Sequence, residues 1–181
     1  MSPNVRDTVL TGLVIAMGIG FPIALHLTGG GDLGRMFLPM FLPLTAGAFL
    51  LRPLHAMFTG ALTPILSALL TGMPPLAPPI AFLMVGELVV LTGVISVLTT
   101  KTHLNMWIIL ACAVLAERLV LAVLASGLSS AFGLPPQLVT WGSLLMSLPG
   151  IALLFIVVPP VVIRVRTNRR DARGRIVKST N

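Results

Sequence analysis

The chain has 181 residues, of which 56% are hydrophobic and only 9% are charged. A water-soluble domain of this length needs more surface charge, so the composition excludes one and indicates a chain whose solvent is lipid. The net charge of +7 comes mostly from residues 164–178, which hold seven of the twelve Lys and Arg residues. A basic run beside a membrane is more commonly a contact with anionic lipid than with nucleic acid.

The first apolar stretch, residues 9–27, resembles a secretory signal only superficially. It is too long for one and no small-residue cleavage site follows, so it predicts a retained membrane helix. Gly12, Ala16 and Gly20 recur at every fourth position along it. Such a stripe lets another helix approach closely. The partner is either inside the same bundle or on a separate membrane subunit, and we favour the separate subunit.

Five further apolar stretches complete a set of six predicted membrane-spanning helices. They are residues 36–51, 54–72, 78–99, 104–130 and 138–163. Helices of about 20 residues are long enough to cross a bilayer core of about 30 Å. The second stretch is short and carries Pro39 and Pro43, which predicts an irregular entry that other parts of the protein must cover.

The predicted fold class is all-α, an integral membrane bundle of six transmembrane helices in residues 1–166. Residues 167–181 are a basic tail that we expect to be disordered. Six spans put both termini on one side, and a cytoplasmic placement leaves ten of the twelve Lys and Arg residues inside. We therefore expect a multi-pass protein of a bacterial inner membrane.

Three ionisable residues fall at membrane depth: Glu87, Glu117 and Arg118. Such groups are costly in hydrocarbon and need a partner, the bundle interior or a wet cavity. Adjacent residues on a helix do not face each other, so the expected partner of Arg118 is Glu87. The pair is either a structural clamp between the fourth and fifth helices or the polar floor of a pocket for a small polar solute. Glu117 then needs a backbone or hydroxyl partner of its own.

Three other residues are candidates for the wall of such a pocket. Trp141 opens the sixth helix and is either an interfacial anchor or a stacking surface for a planar ligand. Met73 and Met84 either line an adaptable pocket or fill space in the bundle.

The sequence lacks the motifs of an ATP-binding site, a catalytic nucleophile or a metal site. It has no G-x-x-x-x-G-K-[ST] segment to grip ATP and no G-x-S-x-G nucleophile motif. Its three histidines, His26, His55 and His103, are too scattered for a metal site. We therefore expect no enzyme, cofactor or metal, and any energy must come from a partner.

Several short segments occur in an order that resembles a known family. The segments are 38–43 (LPMFLP), 46–51 (AGAFLL), 60–64 (GALTP), 70–75 (LTGMPP) and 87–88 (EL). Over roughly the first 95 residues this order is similar to the vitamin-type S components, the substrate-binding subunits of energy-coupling factor (ECF) transporters. The rest of the chain agrees in helix number.

The resemblance implies a subunit that captures one vitamin or related micronutrient on the outer face. It implies docking on a membrane coupling subunit carried by two ATPase subunits, and toppling in the membrane to release the substrate inward. The implied coupling interface is Gly12, Ala16 and Gly20. The implied pocket residues are Glu87, Arg118, Trp141, Met73 and Pro74. Where the family often has Leu-Gly-Pro this chain has Leu51-Arg52-Pro53, which puts the tight inner turn in question.

Two other functions remain open from the residues alone. One is a self-contained carrier or channel in which Glu87, Glu117 and Arg118 relay protons or ions. The other is a membrane assembly subunit that binds no ligand.

Overall fold

A computed structural model describes residues 3–29, 39–75, 80–132 and 147–179, and every element in these ranges is a helix. In chain order the helices are α1 (Pro3–Gly29), α2 (Phe41–Ala48), α3 (Pro53–Thr71), α4 (Ile80–Lys101), α5 (Met106–Phe132) and α6 (Leu148–Ser179).

Five of these helices, all except α2, contain a segment long and apolar enough to cross a membrane. The mean hydropathy of those segments lies between 1.4 and 2.5. On α5, one turn apart, Leu115, Leu119 and Val123 are 66%, 69% and 70% exposed. A stripe of large apolar side chains is suited to lipid tails rather than to water. The architecture therefore supports a multi-pass helical membrane protein.

The predicted second span, residues 36–51, is represented by α2, which has only eight residues. A helix of that length rises about 12 Å, against a hydrocarbon core of about 30 Å. Residues 30–38 lie outside the described part of the chain. The described part contains five helices that could span a membrane, whereas the sequence predicted six. A buried turn at Pro39 and Met40 leads into α2, in agreement with the irregular entry that the prolines predict.

Helix α2 lies in the middle of the bundle and contacts α1, α3, α4 and α6. Its residues Phe41, Leu44 and Ala48 are at most 3% exposed. Helix α1 packs on α2 and α3, whereas α5 packs on α4 and α6. The shortest helix is therefore the centre of the hydrophobic core.

Glycines allow the helices around α2 to approach closely. A Cβ at Gly60 of α3 would lie 2.6 Å from the carbonyl oxygen of Leu88 and from Thr92 Oγ1 on α4. A Cβ at Gly18 of α1 would lie 2.6 Å from Leu44 Cδ1 on α2. Since real Cβ atoms do not sit at such distances, these contacts depend on the absence of a side chain.

The turn between α2 and α3 is tight although Arg52 stands where the sequence resemblance leads us to expect glycine. The carbonyl oxygen of Gly47 accepts hydrogen bonds from the backbone N–H groups of Leu50 and Leu51. Arg52 then adopts extended backbone, with φ −70° and ψ 154°, and Pro53 begins α3. Any residue can adopt that conformation, and proline suits the first helical position. Glycine is therefore not required here.

Side chains from three helices cap three consecutive carbonyl groups, those of residues 49–51, at the C-terminal end of α2. Arg166 Nη2 of α6 donates to the first at 2.8 Å, and Arg6 Nη2 of α1 donates to the second at 3.2 Å. Ser96 Oγ of α4 donates to the third at 2.7 Å. The last carbonyl groups of a helix lack partners within it and carry partial negative charge, so arginine donors suit them.

These hydrogen bonds place the start of α1 and the C-terminal part of α6 at the same end of the bundle. Exposed Arg52 and Lys101 lie at this end as well, after α2 and at the end of α4. We call it the basic end. The opposite end, which we call the distal end, carries the 72–75 loop between α3 and α4.

Helix α6 continues to Ser179, through the segment in which the sequence predicted a disordered tail. Residues 167–179 contain no proline and several good helix formers, Arg, Ala and Lys. A helix that has already formed extends at low cost, because each added residue contributes one backbone hydrogen bond.

Candidate functional site

The three ionisable residues predicted at membrane depth meet at the contact between α4 and α5. Glu87 lies on the buried face of α4 and is 8% exposed. Glu117 follows Leu110 and Ala113 along the buried face of α5 and is 1% exposed. The carboxyl groups of Glu87 and Glu117 are within hydrogen-bonding reach of each other, and the charge of Arg118 acts on both.

The ion pair in this cluster joins sequence neighbours: Arg118 Nε lies 3.2 Å from Glu117 Oε2. The expectation that these two side chains would not face each other was wrong. Their Cα–Cβ bonds point about 100° apart, but the long arginine stem can fold back along the helix surface. The predicted neighbour Glu87 is part of the same cluster, and its carboxyl group contacts Glu117.

Within the described part of the chain Glu117 Oε1 has no hydrogen-bond partner, and Arg118 Nε, although it lies 3.2 Å from Glu117 Oε2, makes no hydrogen bond. An unpaired buried polar atom of a charged group costs several kcal/mol in an apolar medium. Within the described residues the cluster therefore leaves hydrogen-bonding capacity unused. Two carboxyl groups beside one guanidinium can accept hydrogen bonds, a proton or a cation from a further group.

The cluster lies in the distal half of the bundle. Glu87 is seven residues from the start of α4, which places it about 10 Å below the distal end. Met84 lies one turn nearer that end and packs against the hydrophobic core, as a filler methionine would. Pro74 and Met73 lie in the loop at the distal end, with Met73 53% exposed.

Hydroxyl groups of α3 anchor this loop. The carbonyl oxygen of Met73 accepts a hydrogen bond from Ser67 Oγ at 2.7 Å and another from Thr71 Oγ1 at 3.2 Å. Gly72, the residue before Met73, has a φ of +73°, a left-handed conformation that favours glycine. The loop therefore has a defined position above the α3–α4 contact. Trp141, the other predicted pocket residue, lies outside the described residues.

The small-residue stripe of α1 lies on the open surface of the bundle. Gly12, Ala16 and Gly20 are all exposed, and a Cβ at either glycine would meet no atom within 4 Å. The buried face of α1 instead carries Val14 and Gly18. The sequence left two possible partners for the stripe, a helix of the same bundle or a separate membrane subunit. In the described part of the bundle no helix packs on Gly12 or Gly20.

Two structural features that shape the bundle around the site were not predicted from the sequence. One is the capping of residues 49–51 by Arg6, Arg166 and Ser96, which depends on contacts between residues far apart in sequence. The other is the close α3–α4 approach at Gly60. The sequence does contain a pattern that predicts this approach, because Ala56 and Gly60 are small residues spaced four apart.

No family model, curated protein or solved structure matches this chain. Among the described residues no group of three or more His, Cys, Asp and Glu side chains is placed to hold a metal ion. Function must therefore be inferred from the geometry of the charged cluster and from the surface that surrounds it.

Proposed function

We propose that this chain is the substrate-binding subunit, or S component, of an ECF-type importer. In this proposal it captures a vitamin or related micronutrient on the outer face of a bacterial inner membrane and delivers it inward when docked on an ATP-driven coupling module. The observation that carries the proposal is the buried cluster of Glu87, Glu117 and Arg118, in which Glu117 Oε1 and Arg118 Nε make no hydrogen bond within the described residues.

The location of the cluster favours a ligand that arrives from outside. The basic end carries Arg6, Arg52, Lys101 and Arg166, and the positive-inside rule assigns such an end to the cytoplasm. The distal half, which holds the cluster, then faces outward. A small polar solute entering there supplies partners to Glu117 Oε1 and Arg118 Nε, which offsets the cost of burying them.

The exposed surface of α1 is suited to packing against a separate membrane subunit. Its stripe of Gly12, Ala16 and Gly20 offers a flat path along which another membrane helix can pack closely. We assign this surface to the coupling subunit. Because the sequence has no Walker loop, the energy for transport comes from the two ATPase subunits of that module.

The proposal is tested by thermal unfolding of the purified protein with a panel of vitamins and related micronutrients. A ligand present at 100 times its Kd stabilises the folded state by about 2.7 kcal/mol, which raises the Tm measurably. We expect one compound to raise the Tm of the native protein. Glu87→Gln and Glu117→Gln should reduce that shift while the proteins still express and fold.

Asp7→Asn is the matched control, since it also converts a buried acid into its amide but lies at the basic end. It should retain the full ligand shift. A panel in which no compound raises the Tm favours an assembly subunit without ligand and contradicts our proposal.

The contact between the carboxyl groups of Glu87 and Glu117 favours a second candidate, a self-contained carrier coupled to protons or ions. Paired carboxyl groups at membrane depth are typical of proton relays. This candidate predicts uptake by the lone protein in liposomes that is abolished by an uncoupler and needs no ATPase. The S-component proposal predicts no accumulation against a gradient without the coupling module.

A further inference from the structure

A cleft of about 260 Å³ opens at the basic end, far from the charged cluster. Its walls come from the end of α4, the connection to α5 and the C-terminal part of α6. Thr102, His103 and Arg166 supply polar groups to it, and Phe49 and Ile109 close its apolar side. The charged-cluster residues do not line it, so it is a separate site.

The charge around the cleft is positive. Arg166 lines it from α6, held there by the hydrogen bond from its Nη2 to the carbonyl oxygen of Phe49. His103 lines it from the α4–α5 connection, and Lys101 is exposed two residues earlier. Among the described side chains at this end, one is acidic: Asp7, whose Oδ1 lies 3.9 Å from Arg6 Nε. The cleft is therefore suited to an anion.

The cleft also lies at the boundary of the apolar core. It sits between the end of one spanning segment at Lys101 and the start of the next at Met106. On the adjoining surface of α5, Trp107 and Ile108 are 46% and 50% exposed. The Trp107 ring stacks on Phe155, with the ring centroids 6.2 Å apart, so this apolar rim is preformed. Tryptophan is characteristic of the membrane–water interface.

We propose that this cleft binds the phosphate group of an anionic phospholipid. Arg166 and His103 donate to the phosphate oxygens, and the acyl chains run along the exposed face of α5 past Trp107 and Ile108. The cleft is smaller than the roughly 300–1,000 Å³ of a typical small-molecule site, which fits a headgroup whose chains stay outside. Basic clefts between helices on the cytoplasmic side are suited to such headgroups.

The test uses the full-length protein, purified in detergent and freed of lipid, and measures its Tm against added lipid. Dioleoylphosphatidylglycerol should raise the Tm at concentrations where dioleoylphosphatidylcholine does not. Arg166→Gln and His103→Ala should each weaken the apparent affinity for phosphatidylglycerol roughly tenfold, since each removes a charged or polar donor to the phosphate. Arg164→Gln is the matched control: Arg164 is exposed and does not line the cleft, so affinity should stay unchanged.

Arg166→Gln also changes the contact with Phe49 and can lower the basal Tm. His103 is exposed, so His103→Ala tests the site without that complication. Equal stabilisation by both lipids overturns the proposal, and so does an equal loss of affinity in Arg164→Gln and Arg166→Gln. If inorganic phosphate alone reproduces the shift and Arg166→Gln removes it, the lipid assignment is overturned in favour of a soluble phosphate compound.

Discussion

Arg118 Nε lies 3.2 Å from Oε2 of Glu117, so this ion pair of a membrane-depth arginine lies within α5 and does not cross to α4. A clamp between the two helices requires a contact that crosses. The crossing contact in this cluster is between the carboxyl groups of Glu87 and Glu117. Two ionised carboxyl groups repel each other unless a proton, a cation or a polar ligand joins them. The ion pair of Arg118 and Glu117 therefore does not by itself join α4 to α5.

The ion pair predicts a strong non-additivity in stability. Glu117→Leu leaves the guanidinium of Arg118, whose side chain is only 19% exposed, without its partner. We expect a loss of roughly 3 kcal/mol or more in the free energy of unfolding. The double variant Glu117→Leu with Arg118→Leu should recover most of this loss. Unfolding in mixed detergent micelles measures both, and a double variant as unstable as the single one would refute the pairing.

The two classes of glycine on α1 predict opposite outcomes. Gly12→Leu with Gly20→Leu should leave the Tm and ligand binding unchanged, because a Cβ at either position meets no atom within 4 Å. If the proposed function is right, uptake with the coupling module should be lost, since the bulky side chains would keep its helix away from α1. Gly18→Leu is the matched control and should lower the Tm, because its Cβ would lie 2.6 Å from Cδ1 of the buried Leu44 and the side chain would overpack the core. Loss of ligand binding in the double variant would place the stripe inside the bundle.

The α3–α4 contact predicts that Gly60→Ala destabilises the protein. The new methyl group would meet the carbonyl oxygen of Leu88 at 2.6 Å, and backbone cannot yield as a flexible side chain does. Overpacking of this kind costs about 1–3 kcal/mol. Gly127→Ala on α5 is the control, with open space around its Cβ. It should stabilise the helix by about 0.5–1 kcal/mol, and equal effects of the two changes on Tm would rule out the close approach.

The cap on α2 predicts a measurable cost for Ser96→Ala. This change removes the 2.7 Å hydrogen bond to the carbonyl oxygen of Leu51 and leaves that group buried without the donor. Hydrogen bonds inside membrane proteins contribute about 0.6 kcal/mol on average and at most about 1.7 kcal/mol. Ser126→Ala is the control, because the Ser126 hydroxyl is exposed and bonds back to Ala122 of its own helix. A Tm that falls equally in both variants would argue against the cap.

Much of the secondary structure could be predicted from the lengths of the apolar stretches alone. The stretch 54–72 became α3 at Pro53–Thr71, and 78–99 became α4 at Ile80–Lys101. These boundaries follow local signals: Pro53 at the first helical position, and Gly72 in a left-handed conformation at the end of α3. That Glu87, Glu117 and Arg118 need polar neighbours was likewise predictable, since ionisable residues in hydrocarbon are rare and costly.

The tertiary structure decided which face of each helix is buried and which helix is central. In water, buried and exposed faces differ in polarity, so the pattern of residues identifies the core side. In lipid both faces are apolar, and packing depends instead on small residues and on the shape of neighbouring helices. Gly12 and Gly18 look alike in the sequence, yet one is open and the other meets Leu44. For the same reason only the packed bundle shows α2 at its centre and Arg118 turned toward Glu117.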